Sequence, residues 1–141
     1  MIEKKKIESY RDLDVWKKGV RFSLEIYKVT SSFPPAELYG ITNQLRRASA
    51  SVPANIAEGY GRESTKNYIQ FLKTSRGSLN ESETFLFLAF GLKFIDKDKL
   101  DGLLLKSEEL GKMLNSLIKK LNVYDVLMAI IAYCLLPNAF L

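Results

Sequence analysis

Apolar positions recur every three or four residues through most of the chain, and strand-like alternation is never sustained. Three points of punctuation divide it: Ser31-Ser32-Phe33-Pro34-Pro35, Gly59-Tyr60-Gly61 and Phe94-Ile95-Asp96. The segments between them, roughly 20 to 30 residues each, read as helices. Pro35 suits a first helical turn, where its missing N–H costs nothing. Ser64 or Thr65 is placed to cap the third helix and Asp96 the fourth. Short connections favour antiparallel neighbours. The expected fold is all-α, an antiparallel up-down four-helix bundle over residues 1–122, followed by an apolar C-terminal tail over residues 123–141.

The first helix carries two apolar arcs. Leu13, Trp16, Val20, Leu24 and Tyr27 form one; Val15, Phe22, Ile26 and Val29 form the other, with Gly19 and Ser23 between them. One bundle core needs a narrower stripe, so the second arc is expected to meet another subunit or the folded-back tail. Val15, Phe22, Ile26 and Val29 are the expected oligomer contact. In the second helix, Leu38, Ile41, Leu45, Ala48, Val52 and Ile56 form the core stripe. Beside it runs a polar stripe of Gln44, Arg47, Ser51, Asn55 and Glu58, and Pro53 predicts a kink near residues 49–52. The third helix buries Phe71, Leu72, Leu79, Leu86, Ala89 and Phe90 with small Ser75, Ser78 and Ser82. The fourth uses Leu100, Leu103, Leu104, Leu110, Leu114, Leu117, Ile118 and Leu121.

Eleven apolar residues in a row, Val126 to Leu136, mark the tail. The run is shorter than the roughly 20 residues that span a bilayer, and no basic residue flanks its far side. Burial against the bundle or an oligomer contact is favoured over membrane attachment. Met1 to Lys6 leads into charged sequence and not an apolar signal, so the expected address is cytoplasmic.

Composition narrows the chemistry. The 141 residues include one cysteine, Cys134, and no histidine. That removes internal disulfides, cysteine-pair zinc sites, Ser-His-Asp and Cys-His nucleophiles and imidazole metal ligands. Glu81 and Glu83 face different sides of a helix, Glu108 and Glu109 are adjacent and solvated, and Glu58 lies near Arg62 for an ion pair. No general acid/base pair can be assembled from this spacing. Gly59-Tyr60-Gly61 lacks the strand and the lysine of a phosphate loop. The chain is read as a non-enzyme without metal or cofactor.

Charge points elsewhere. Asp125 is the one charged residue of positions 123–141, so the first 122 residues hold 21 bases against 15 acids, a net of +6. Such a body attracts polyanions. Arg46, Arg47, Arg62, Lys66, Lys73 and Arg76 gather around the second and third helices, with Tyr39, Tyr60 and Tyr68 interleaved. Lys and Arg neutralise phosphates, and Tyr can stack on an unpaired base. The competing reading places some of these bases in salt bridges with Glu58, Glu63 and Glu81.

The run Gln44-Leu45-Arg46-Arg47-Ala48-Ser49-Ala50-Ser51-Val52-Pro53-Ala54-Asn55-Ile56-Ala57-Glu58-Gly59 closely resembles the signature of the four-helix-bundle proteins encoded by intervening sequences of bacterial 23S rRNA genes. Asp12-Leu13-Asp14-Val15-Trp16 resembles the family's opening. Phe33-Pro34 with Tyr39-Gly40-Ile41-Thr42 resembles its first loop and second-helix start, and Gly77-Ser78-Leu79-Asn80-Glu81 its third-helix element. The likeness covers roughly residues 10–121 and ends before the tail. It implies a homo-oligomeric ring, a homopentamer, and a kinship with accessory proteins of diversity-generating retroelements, which bind nucleic acid and reverse transcriptase. Partners implied are therefore RNA or DNA, or a polymerase or other protein. Arg47, Asn55, Glu58 and Gly59 fall on motif positions and are read as structural residues holding helix or subunit contacts.

Overall fold

A computed structural model describes residues 6–135. Helix α1 spans Asp14–Thr30, α2 Ile41–Tyr60, α3 Thr65–Gly91 and α4 Lys97–Leu135, with short 3-10 turns at Tyr10–Asp12 and Pro35–Glu37. No strand occurs among the described residues.

Local chemistry sets most of these boundaries. The Ser64 hydroxyl accepts the Asn67 N–H, and an Asp96 carboxylate oxygen accepts the Lys99 N–H at 2.8 Å, so both expected caps form. Pro35 opens the 3-10 turn and not α2, which begins six residues later at Ile41. α2 then runs unbroken through Pro53 to Tyr60. α3 ends in a double turn: Lys93 N–H donates to Phe90 O and Phe94 N–H to Ala89 O. Lys93 adopts φ 63° there, the left-handed conformation usually left to glycine.

Cross-helix contacts establish the topology. Gly19 abuts Pro53, Ser23 faces Ser49 and Arg46 reaches Thr30 between α1 and α2. Arg47 meets Glu81, Ser51 meets Ser78 and Val52 meets Ser75 between α2 and α3. Arg76 pairs with Asn115 and Glu83 with Ser107 between α3 and α4. Lys18 with Glu109 and Glu25 with Lys106 close the circle between α1 and α4. In every set, numbers rise along one helix as they fall along its partner. The four helices therefore run up, down, up and down.

The core contains Ile26, Leu45, Val52, Ile56, Leu72, Leu86 and Leu114, all fully buried. Each large aliphatic side chain of this kind contributes about 1.5–3 kcal/mol relative to exposure. Ile41, Ala48, Leu79, Ala89, Leu100, Leu103, Leu110 and Ile118 are buried as the periodicity predicts. Leu38 and Phe90 are corrections. Leu38 lies ahead of α2 and is exposed, and Phe90 turns outward in the last turn of α3. Residue Ile69, which the apolar pattern passes over, is buried instead.

The two arcs of α1 exchange roles. Val15, Phe22 and Ile26, expected at an oligomer contact, are buried in the chain's own core, and Val29 packs against it. The arc expected inside turns outward in its second half: Leu13 and Trp16 still pack against the core, but Leu24 is 63% exposed and Tyr27 is also exposed. Gly19 and Ser23 decide the rotation, because both must face the close approach of α2.

The boundary expected at residue 122 is not a break. α4 crosses it without interruption, and every described side chain from Asn122 to Leu135 is exposed. The tail thus does not fold back over the bundle as far as Leu135. Its last residues, 136–141, lie outside the described residues. No helix among the described residues is long and apolar enough to cross a membrane.

Candidate nucleic-acid interface

Six basic residues gather in sequence but not in space. Arg46 and Arg47 are adjacent on α2, hence about 100° apart around it. The Arg46 guanidinium donates to the Thr30 hydroxyl at 2.7 Å and lies over the Tyr27 ring, on the α1 side. Arg47 turns the other way, to Glu81 of α3 at 2.6 Å, and also donates to Gln44. Arg62, just past the far end of α2, lies about 20 Å along the axis from them. It pairs with Glu58 at 2.7 Å and stacks over Phe71. Arg76 donates to Asn115 on α4.

Lys66 and Lys73 remain. Both are exposed on α3, and neither forms an ion pair among the described residues. Gln70 lies between them, four residues after Lys66, with Asn67 and Thr74 alongside, so this outward face is polar. The two α3 carboxylates do not share it. Glu81 goes to Arg47 and Glu83 accepts a hydrogen bond from the buried Ser107 hydroxyl at 2.6 Å, the divergence their spacing predicts. The Lys66–Thr74 stretch carries no acid.

The tyrosines do not interleave with this face as an open stacking platform. Tyr60 and Tyr68 meet edge to face at 6.1 Å between ring centres, both half-buried. Burial, with a smaller contribution from the neighbouring Tyr60, pushes the Tyr68 phenol up to about 12. Tyr39 is 90% exposed but sits ahead of α2, at the opposite end from Lys66.

The motif residues occupy helix contacts. Asn55 donates to both the backbone and side-chain oxygens of Ser51, whose hydroxyl in turn meets Ser78 at 3.0 Å. Arg47 continues this α2–α3 ladder at Glu81. A Cβ at Gly59 would lie 2.7 Å from that of Phe71 and 2.9 Å from the Tyr68 ring, so only glycine admits this approach. Glu58 does not cross to another helix; its partner is Arg62. Sequence reasoning passed over Ser107 and Asn115, which tie α4 to α3. Their signal was weak, since a serine within a leucine stripe resembles a simple gap-filler.

A shallow groove lies between α1 and α4, lined by Lys18, Arg21, Phe22, Glu25, Lys106 and Glu109. Its charges are mixed and two ion pairs span it. Among the described residues no group of three or more His, Cys, Asp or Glu side chains is placed to hold a metal ion.

No curated protein matches the chain. A crystal structure described as a protein with unknown function from the S23 ribosomal protein family of Bacteroides thetaiotaomicron is similar, with 25% identity and a TM-score of 0.70. The likeness covers 74% of this chain and 95% of that one. The model of the 23S rRNA-intervening sequence proteins matches residues 11–116, which takes in all of α1, α2 and α3 and α4 down to Ser116. With the α2 signature and the bundle agreeing, the chain belongs to the 23S rRNA-intervening sequence protein family.

Proposed function

We propose that this chain is a non-enzymatic, homo-oligomeric bundle of the cytoplasm that binds RNA or DNA through electrostatic contact with phosphates. The observation that carries the reading is the outward face of α3, where Lys66 and Lys73 stand exposed and unpaired on an acid-free stretch. Arg62 stands near that end, on a salt bridge that solvent reaches. Arg46, Arg47 and Arg76 are committed to helix contacts instead. The net of +6 over residues 1–122 supplies the long-range attraction. Such binding discriminates weakly among sequences and falls steeply with salt. A pentameric ring, the assembly implied by the resemblance, would repeat the face around its circumference.

The test is a gel-shift series on structured RNA and duplex DNA at low and moderate salt. Wild type is expected to bind at micromolar protein, and Lys66→Glu with Lys73→Glu to weaken binding about tenfold or more and flatten the salt slope by about two. Absence of wild-type binding at low salt, or an unchanged double variant, overturns the reading.

A second reading, a scaffold for a polymerase or other protein, has its own support. Tyr39, Phe87, Leu88 and Leu92 are exposed apolar residues where α2 begins and α3 ends. A partner that stays attached in a pulldown after nuclease treatment favours it.

A further inference from the structure

One seam runs the length of α4. Leu100, Leu103, Ser107, Leu110, Leu114, Leu117 and Leu121 follow at alternating steps of three and four, and each is buried or packs against the core. Tyr124, Met128, Ile131 and Leu135 continue that alternation without a slip, yet are 47% to 74% exposed. The spacing that makes a helix pack on its neighbours therefore extends beyond the neighbours this chain supplies. The other sides of the same segment are no more polar. Val123, Val126, Leu127, Ile130 and Tyr133 are all at least half exposed.

This pattern separates the occupants. A helix lying in a membrane interface needs a polar face, and none exists between Val126 and Leu135. The segment from Asn122 to Leu135 is about 20 Å long, against about 30 Å of hydrocarbon. A groove on an unrelated soluble protein covers one face of a helix and leaves the rest wet. Apolar character all round belongs inside a contact among several helices. The exposed side chains offer on the order of 1,000 Å² per copy, against about 800 Å² per partner in a standard interface. The family match ends at residue 116, so this contact lies beyond what the family's bundle provides.

We propose that Asn122–Leu135 is a self-association helix whose occupants are the same segments of further copies of this chain, gathered so that Tyr124, Met128, Ile131 and Leu135 pack on one neighbour and the remaining apolar sides on others. The contact is independent of the nucleic-acid reading and of any assembly made by the bundle faces.

Full-length protein carrying Met128→Lys and Ile131→Lys tests it, with Met128→Leu and Ile131→Leu as the conservative pair. Both positions of substitution are exposed in the isolated chain, so circular dichroism and the unfolding midpoint should match wild type in both variants. Sedimentation velocity over a dilution series should show the lysine pair dissociating at a concentration tenfold or more above wild type, and the leucine pair unchanged. Cys134 reports proximity directly, because it is exposed and the chain's single thiol. A short bismaleimide should link wild-type copies and fail to link the lysine pair. Equal dissociation midpoints and equal cross-linking in wild type and the lysine pair overturn the proposal. So does wild type that stays at its smallest mass at tens of micromolar and floats with phosphatidylcholine–phosphatidylglycerol vesicles, an outcome that assigns the helix to lipid. Failure of the gel shifts above leaves these readouts unaffected.

Discussion

The α2–α3 seam and the α1–α4 seam join neighbouring antiparallel helices by opposite means. Between α2 and α3, small residues bring backbones close, and buried hydroxyls then bond across. The Ser75 hydroxyl donates to Val52 O at 2.9 Å, Ser78 meets Ser51, and Gly59 lies against Tyr68 and Phe71. Between α1 and α4, the cross-links are solvent-exposed ion pairs made by long side chains, Lys18–Glu109 and Lys106–Glu25, over a mixed-charge groove. A buried hydrogen bond to backbone fixes one register. Exposed ion pairs tolerate several and contribute little net free energy.

That contrast can be broken most directly at Gly59. Gly59→Ala places a methyl inside the packing radius of Phe71 and Tyr68, and urea unfolding should show a loss of about 1–3 kcal/mol. A loss below about 0.5 kcal/mol would mean that α3 shifts aside freely and the seam is not tightly set. Ser75→Ala removes a fully buried hydroxyl that bonds α2 backbone, and should cost about 1 kcal/mol by the same measurement. At the other seam, Lys18→Ala and Lys106→Ala together should cost less than about 1 kcal/mol. A larger loss would put the α1–α4 ion pairs on a par with the serine ladder and dissolve the distinction.

Most of the bundle was legible because its signals are local. Ser64 and Asp96 cap the helices they precede, and the leucine stripe of α4 needs only its own spacing. The rotation of α1 was not legible from hydrophobicity, since both arcs are equally apolar. Gly19 and Ser23 held the answer, but a small residue reveals its role only when its partners Pro53 and Ser49 are known. The basic site was half legible. Adjacency in sequence put Arg46 beside Arg47, while helix geometry sends them to Thr30 and Glu81 on opposite neighbours. Lys66 and Lys73 are the two of the six that α3 turns outward and leaves without an ion pair among the described residues. Of the two readings of the tail, cover by its own bundle is the one that fails as far as Leu135, because α4 carries the apolar run straight past the ends of its neighbours.

The order of the helices also has a consequence in time. Each of the first three seams joins segments adjacent along the chain, across connections of about ten residues or fewer. The α1–α4 seam alone joins the first helix to the last, and it must close across the whole of α2 and α3. Its loop-closure entropy is the largest, and the polar links it gains are the weakest. The bundle is therefore expected to assemble from the α2–α3 hairpin outward, and native-state hydrogen exchange should show α1 and α4 parting first.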